Sequence, residues 1–207
     1  MVEYFVNGGP FMWPILILLI AGLGISGERF YSLIMSSTNT KEFFDDVIKS
    51  LDNDGIDNTI ELCNNTPGPV AEIFHAGLSR FHRGLREVEK AIQDAGGLEM
   101  SFLEKNMIWM NAVITIAPML GFTGTVAGMV NAFDAIAAAN DISPAVVAGG
   151  ISQALLTTAF GLIVAMIIQI FQNFFVSMID KLVLDMEENS VKFMDQLHLE
   201  YEKLAQG

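Results

Sequence analysis

Thr125 and Thr158, with Gln153 and Thr157 on the turn before the second of them, put hydroxyls and an amide where aliphatic side chains dominate. Such groups exchange hydrogen bonds and offer oxygen to a cation, but none gains or loses a proton near neutral pH. Small residues surround them. On a helix of about 3.6 residues per turn, Gly121, Thr125, Gly128 and Ala132 share one stripe, and Gly124 and Gly128 form a G-x-x-x-G pair. Further on, Gly150, Ala154, Thr158, Gly161 and Ala165 make an equivalent stripe, flanked by Gln153 and Thr157. Two such stripes facing each other would line a narrow, mildly polar seam. Patterns of this kind commonly only pack helices, and Thr can satisfy itself on its own backbone, so packing and an ion or partner path both stand on pattern alone. Gln153 leans toward a path, because an amide deep in an apolar segment is costly unless it faces protein interior or water. Pro118 frees a backbone carbonyl beside the glycine run and is expected to kink or shape its helix.

The elements that position these residues are three long apolar segments. With 52% hydrophobic residues and a mean hydropathy of +0.44, the chain of 207 residues reads as an all-α integral membrane protein. Spans are expected at 11–27, 107–133 and 146–176, separated by a head at 1–10, a long polar loop at 28–106, a short loop at 134–145 and a tail at 177–207. The head holds Glu3 and no Lys or Arg, unlike the positive leader of a signal peptide, so the first span is read as retained. Trp13 and Tyr31 suit its two interfaces.

All 11 Lys and Arg lie in the long loop and the tail; the head and the segment 134–145 have none. The positive-inside rule therefore makes loop and tail cytoplasmic and the head and short loop external, an arrangement that three spans satisfy. Apolar spacing predicts helices in the loop from Thr40, through Ile60 to Asn64, and from Val70, with breaks at 52–57 and 65–69. From Leu85 onward no break is visible before the second span, which predicts one long helix running from loop into membrane. Leu182, Val183, Met186, Val191, Met194 and Leu197 likewise predict an amphipathic extension of the third span, suited to bundling with the loop helices or with neighbouring subunits.

Several functions are disfavoured. A net charge of -13 argues against nucleic acid as a partner. No G-x-S-x-G, Walker A or H-E-x-x-H occurs, so an enzyme is not expected, nor a cofactor. His75, His82 and His198 lack companions at metal-ligand spacing, and no metal site is expected. Cys63 is the single cysteine, in a polar segment, and is read as incidental. Asp134 and Asp141 flank the short loop, where they mark its boundaries or draw cations to its mouth. No Asp, Glu, Lys, Arg or His lies within the core of any span, which excludes a self-contained proton relay on this chain.

The run Ile116-Ala-Pro-Met-Leu-Gly-Phe-Thr-Gly-Thr-Val-Ala-Gly-Met129, the run Gly149-Gly-Ile-Ser-Gln-Ala-Leu-Leu-Thr-Thr-Ala-Phe-Gly-Leu162, and the first span with Trp13-Pro14 and Glu28-Arg29 resemble the MotA/TolQ/ExbB proton channel family, in its three-span ExbB and TolQ branch. The resemblance implies a homopentamer whose second and third spans line a pore around two copies of a single-span ExbD/TolR-like partner. That partner carries the membrane Asp this chain lacks. It further implies a bacterial inner-membrane location and a TonB- or Tol-like effector, with Thr125 and Thr158 as pore threonines. Gln153 stands where ExbB and TolQ have a pore glutamate.

Overall fold

The computed structural model describes residues 2–36, 40–139 and 144–206, so Asp141 lies outside the described residues. Those residues form eight α-helices and one short 3-10 turn: α1 Val2–Asn7, α2 Met12–Ser36, α3 Thr40–Asn53, α4 Gly55–Asn65, α5 Pro69–Leu78, the turn Phe81–Arg83, α6 Leu85–Leu103, α7 Met107–Ala139 and α8 Pro144–Gln206. No strand occurs among the described residues. Three helical stretches are long and apolar enough to cross a membrane. The chain divides into two units, one of residues 1–29 and 106–174, the other of 30–105 and 175–207.

In the first unit α2, α7 and α8 pack side by side. Gly22 permits this on α2, where a methyl group would lie 2.7 Å from Ile168 Cδ1 and 3.4 Å from Val113 Cγ1. The Ser26 hydroxyl donates to the Gly22 carbonyl at 2.7 Å, which removes its polar cost from the interface. At the end of this stretch Arg29 is 1% exposed, and its guanidinium meets Glu28 at 2.7 and 2.8 Å. α7 continues as helix through Pro118.

The second unit is a small helical bundle with an aromatic centre. Phe74 of α5 stacks on Phe193 of α8 at 4.0 Å between ring centroids and on Phe43 of α3 at 5.9 Å. Val47, Ile73, Leu78, Val88 and Leu197 complete a buried apolar core. The apolar spacing expected from Leu182 to Leu197 is used here, with Leu182, Met186, Phe193 and Leu197 turned inward. Gly84, at φ +96°, ends the 3-10 turn and starts α6, a conformation that a side chain would strain.

Two local expectations differ, and the placement of Cys63 is added by the structure. Asp57 falls inside α4 rather than in a break, because Asp54 alone separates α3 from α4. Cys63, though in a polar segment, is on the inward face of α4 and only 2% exposed. The long helix expected from Leu85 into the second span is interrupted at 104–106, where Asn106 takes φ +65°. Asn tolerates this left-handed geometry better than most side chains, and the Asn106 carbonyl then accepts the first hydrogen bond of α7 from Trp109 at 3.1 Å. Its own amide donates to Glu28 at 3.2 Å, holding the turn against α2.

Candidate functional site: the seam between α7 and α8

The two small-residue stripes face each other. A methyl on Gly128 would lie 3.0 Å from Ala154 Cβ; on Gly124, 2.6 Å from Thr157 Oγ1; on Gly121, 2.9 Å from the Thr157 carbonyl. On the α8 side, a methyl on Gly161 would lie 2.5 Å from the Ala117 carbonyl, and one on Gly150 would meet Ala132 and the Gly128 carbonyl. Backbone therefore touches backbone along some four turns. Close approach of this kind replaces the hydrophobic drive that helices lack in lipid.

The polar groups sit in the middle of the seam. Thr125 Oγ1 and Thr158 Oγ1 share a short hydrogen bond across the helices. Thr158 Oγ1 also reaches the Gly121 carbonyl at 3.1 Å, and Thr125 Oγ1 reaches the Gly121 and Ala154 carbonyls, each at 3.2 Å. Thr157 faces Gly124 across the seam and donates to the Ala154 carbonyl at 2.8 Å, one turn back on its own helix. Burial separates the three: Thr157 is 1% exposed, while Thr125 and Thr158 are half-buried. Thr157 is thus enclosed within the seam, while Thr125 and Thr158 keep part of their surface accessible.

Hydrogen counting defines what that pair can do. Two hydroxyls supply two protons, and each oxygen has two lone pairs to accept with. If Thr125 donates to Thr158 and Thr158 to the Gly121 carbonyl, one lone pair remains on Thr158 and two on Thr125. The pair can therefore accept a hydrogen bond from a donor placed beside it, or offer oxygen to a cation, but it cannot store a proton.

Gln153 is half-buried, one turn from this pair, and its amide is pressed against Gly9. Gly9 holds φ +76° in the turn joining α1 to α2, and a side chain there would collide with Gln153 Nε2. No periodic pattern marks this contact, which depends on the Gly8-Gly9-Pro10 turn just ahead of α2. Pro118 lies on α7 one turn from Gly121, in an unbroken helix. Lower on α8, Gln169 donates to Asn173 at 2.9 Å, and Gln172 Oε1 is buried without a protein partner among the described residues. His75 is half-buried, His82 and His198 are exposed, and Asp134 is exposed near the end of α7.

Among the described residues all regular structure is helical, and three helices able to span a bilayer, two of them joined along a hydroxyl-bearing glycine seam, mark a membrane protein rather than a soluble helical bundle. A model described as the MotA/TolQ/ExbB proton channel family matches residues 65–188, and the chain belongs to that family. It is similar to a biopolymer transport protein ExbB homolog of Methanothermobacter thermautotrophicus, 31% identical over 86% of this chain and 64% of that protein. An ExbB-like biopolymer transport protein of Synechocystis is 27% identical over 83% of this chain and 82% of its own length. The Tol-Pal system protein TolQ of Pseudomonas aeruginosa is 34% identical over 46% of each chain. This chain thus spans under two thirds of the Methanothermobacter relative.

Proposed function

We propose that this chain is the ion-conducting subunit of an energy-transducing motor in the bacterial inner membrane. As a homopentamer, with a single-span ExbD/TolR-like partner carrying a membrane Asp, it converts proton flow into work on the cell envelope or on outer-membrane transport. The observation that carries this reading is the Thr125–Thr158 pair: two hydroxyls able to accept one more hydrogen bond, on spans whose cores hold no ionisable residue. A protonated carboxyl is a donor that fits such a pair, and it must come from another chain.

Protons enter from the outer side, neutralise the partner's Asp beside Thr125 and Thr158, and leave to the cytoplasm. Each charge crossing supplies about 2.3 kcal/mol per 100 mV. Several crossings turn a partner against a wall kept smooth by Gly121, Gly124, Gly128, Gly150 and Gly161. The head is periplasmic and the tail cytoplasmic, in keeping with the placement of Lys and Arg. Gln153, held against Gly9, positions the head next to the pore helices and carries no proton itself.

A sodium-driven motor of the same build is favoured by one observation, the cluster of hydroxyl and carbonyl oxygens at 3.1–3.2 Å around Thr125 and Thr158. A structural scaffold is favoured by another, since these hydroxyls already have backbone acceptors. Co-reconstitution with the partner in liposomes containing a pH-sensitive dye separates them. Acidification under an imposed potential in sodium-free buffer is the expected result; none in the complex overturns the proton reading. Sodium-dependent current would establish the second, and neither flux the third.

A further inference from the structure

Outside the spans, a groove of about 760 Å³ runs between α6 and the C-terminal part of α8, with Ile73 of α5 at its base. Its floor is apolar and unusually adaptable: Ile92 on one side, Met100, Met186 and Met194 around it. Gly96 and Gly97 deepen it. A methyl group on Gly97 would meet nothing within 4 Å, so that part of α6 presents bare backbone to an open trough. Unbranched, polarisable Met side chains suit a surface that receives another helix, because they repack around whatever enters. Along α8 the groove extends from Val183 to His198, about four helical turns or roughly 22 Å.

The rim has a definite sign. Glu89 stands on the α6 side, Glu187 and Asp195 on the α8 side, and all three are exposed. Lys90 and Lys192 are the only Lys or Arg in the two helical stretches, 89–100 and 183–198, that wall the groove. Lys192 is bonded to Glu188 at 2.7 Å. An apolar trough of helix length between acidic walls matches a helix with Leu-like side chains on one face and Lys or Arg on its flanks.

We propose that this groove is a docking site for a basic amphipathic helix of about four turns, supplied by a partner protein on the cytoplasmic side. The apolar face of that helix fills the space between Ile92, Met100, Met186 and Met194. Its flanking cations pair with Glu89, Glu187 and Asp195. The site is separate from the α7–α8 seam, and occupancy is measurable without any ion flux.

The test uses the full chain in zwitterionic nanodiscs and a fluorescein-labelled peptide of 16 residues, with Leu at helical i, i+3, i+4, i+7 spacing and Lys elsewhere. A second peptide has the same composition in scrambled order, and empty nanodiscs give the lipid background. Saturable anisotropy change is expected with the amphipathic peptide and at least tenfold weaker binding with the scrambled one. Gly97→Phe, whose Cβ enters open space, should keep the native melting temperature and abolish binding. Glu187→Gln with Asp195→Gln should weaken it by about tenfold at low salt. Equal binding of both peptides, or unchanged binding to Gly97→Phe, overturns the proposal. So does an absence of binding to the native chain, in which case a change of oligomeric mass in Gly97→Phe would identify a second copy as the occupant.

Discussion

Replacing Gly161 by Ala adds one methyl group at the tightest backbone contact of the seam. That methyl would stand 2.5 Å from the Ala117 carbonyl oxygen, 3.2 Å from Gly121 Cα and 3.3 Å from the Ala117 carbonyl carbon. All three are main-chain atoms, so no side chain can swing aside. Restoring an ordinary contact requires α8 to back away from α7 by about 0.9 Å. At that separation the Thr158 bond to the Gly121 carbonyl, now 3.1 Å, and the Thr125 bond to Ala154, now 3.2 Å, both stretch to about 4 Å and are lost. Overpacking costs about 1–3 kcal/mol, and two interhelical hydrogen bonds in a membrane add about 0.6 kcal/mol each. The expected total is about 2–4 kcal/mol, or roughly 4–16 °C in melting temperature for a chain of this size.

Gly149→Ala provides the control within the same helix. A methyl group there meets nothing within 4 Å, so the change should be neutral or stabilise by up to about 1 kcal/mol through helix propensity. Thermal unfolding of both variants in one detergent, followed by intrinsic tryptophan fluorescence and checked by size exclusion, measures the difference. If the two variants melt together, the close backbone approach of α7 and α8 is refuted, and with it the seam.

Three further outcomes are expected. Thr158→Val keeps the side-chain shape and leaves Thr125 with the Gly121 and Ala154 carbonyls as acceptors, so assembly should survive with about 1 kcal/mol lost while ion flux in the reconstituted complex falls at least tenfold; normal flux would remove the hydroxyl pair from the path. Burial pushes the Cys63 thiol up to about 12, so maleimide at pH 8 should label the native chain far more slowly than the detergent-denatured one by mass spectrometry, and equal rates would refute its burial. Burial, and then the neighbouring Glu72, raise the Glu99 carboxyl above its ordinary 4.5. The folded state therefore holds that proton more tightly than the unfolded one. Ionisation costs stability at neutral pH, and the cost disappears as pH falls through the raised value to below 4.5. Glu99→Gln should accordingly melt higher than the native chain at pH 7, with the gap closing in acid; a gap independent of pH would contradict the assignment.

Legibility in the sequence followed periodicity. The Gly121, Thr125, Gly128, Ala132 stripe and its counterpart from Gly150 to Ala165 were readable because close helix approach demands a small residue on every turn, and that demand repeats at a fixed spacing. The three spanning helices were readable for the same reason, since lipid imposes a length and a composition. The interruption at 104–106 was not, because it rests on the single backbone angle of Asn106, and Asn is accepted both in helices and in the left-handed region. Nor was the burial of Cys63, which depends on how α4 turns its short apolar face.

The least legible feature was the contact of Gln153 with Gly9, which joins residues far apart in the chain through a turn whose form depends on a positive φ. It nevertheless bears on what a carboxylate at this position would meet. A charged carboxylate buried against the uncharged Gly8-Gly9 turn would lose hydration, whereas a neutral amide occupies the same volume at far smaller cost. Gln153 is thus compatible with a head packed directly on α8, and a glutamate there would favour water or a proton in that space. Gln153→Glu should therefore loosen the head. The readout is faster proteolysis or hydrogen exchange of residues 2–9 at neutral pH, reversed in acid where the new carboxyl is protonated; exchange that matches the native chain at both pH values would show that the head does not depend on the amide.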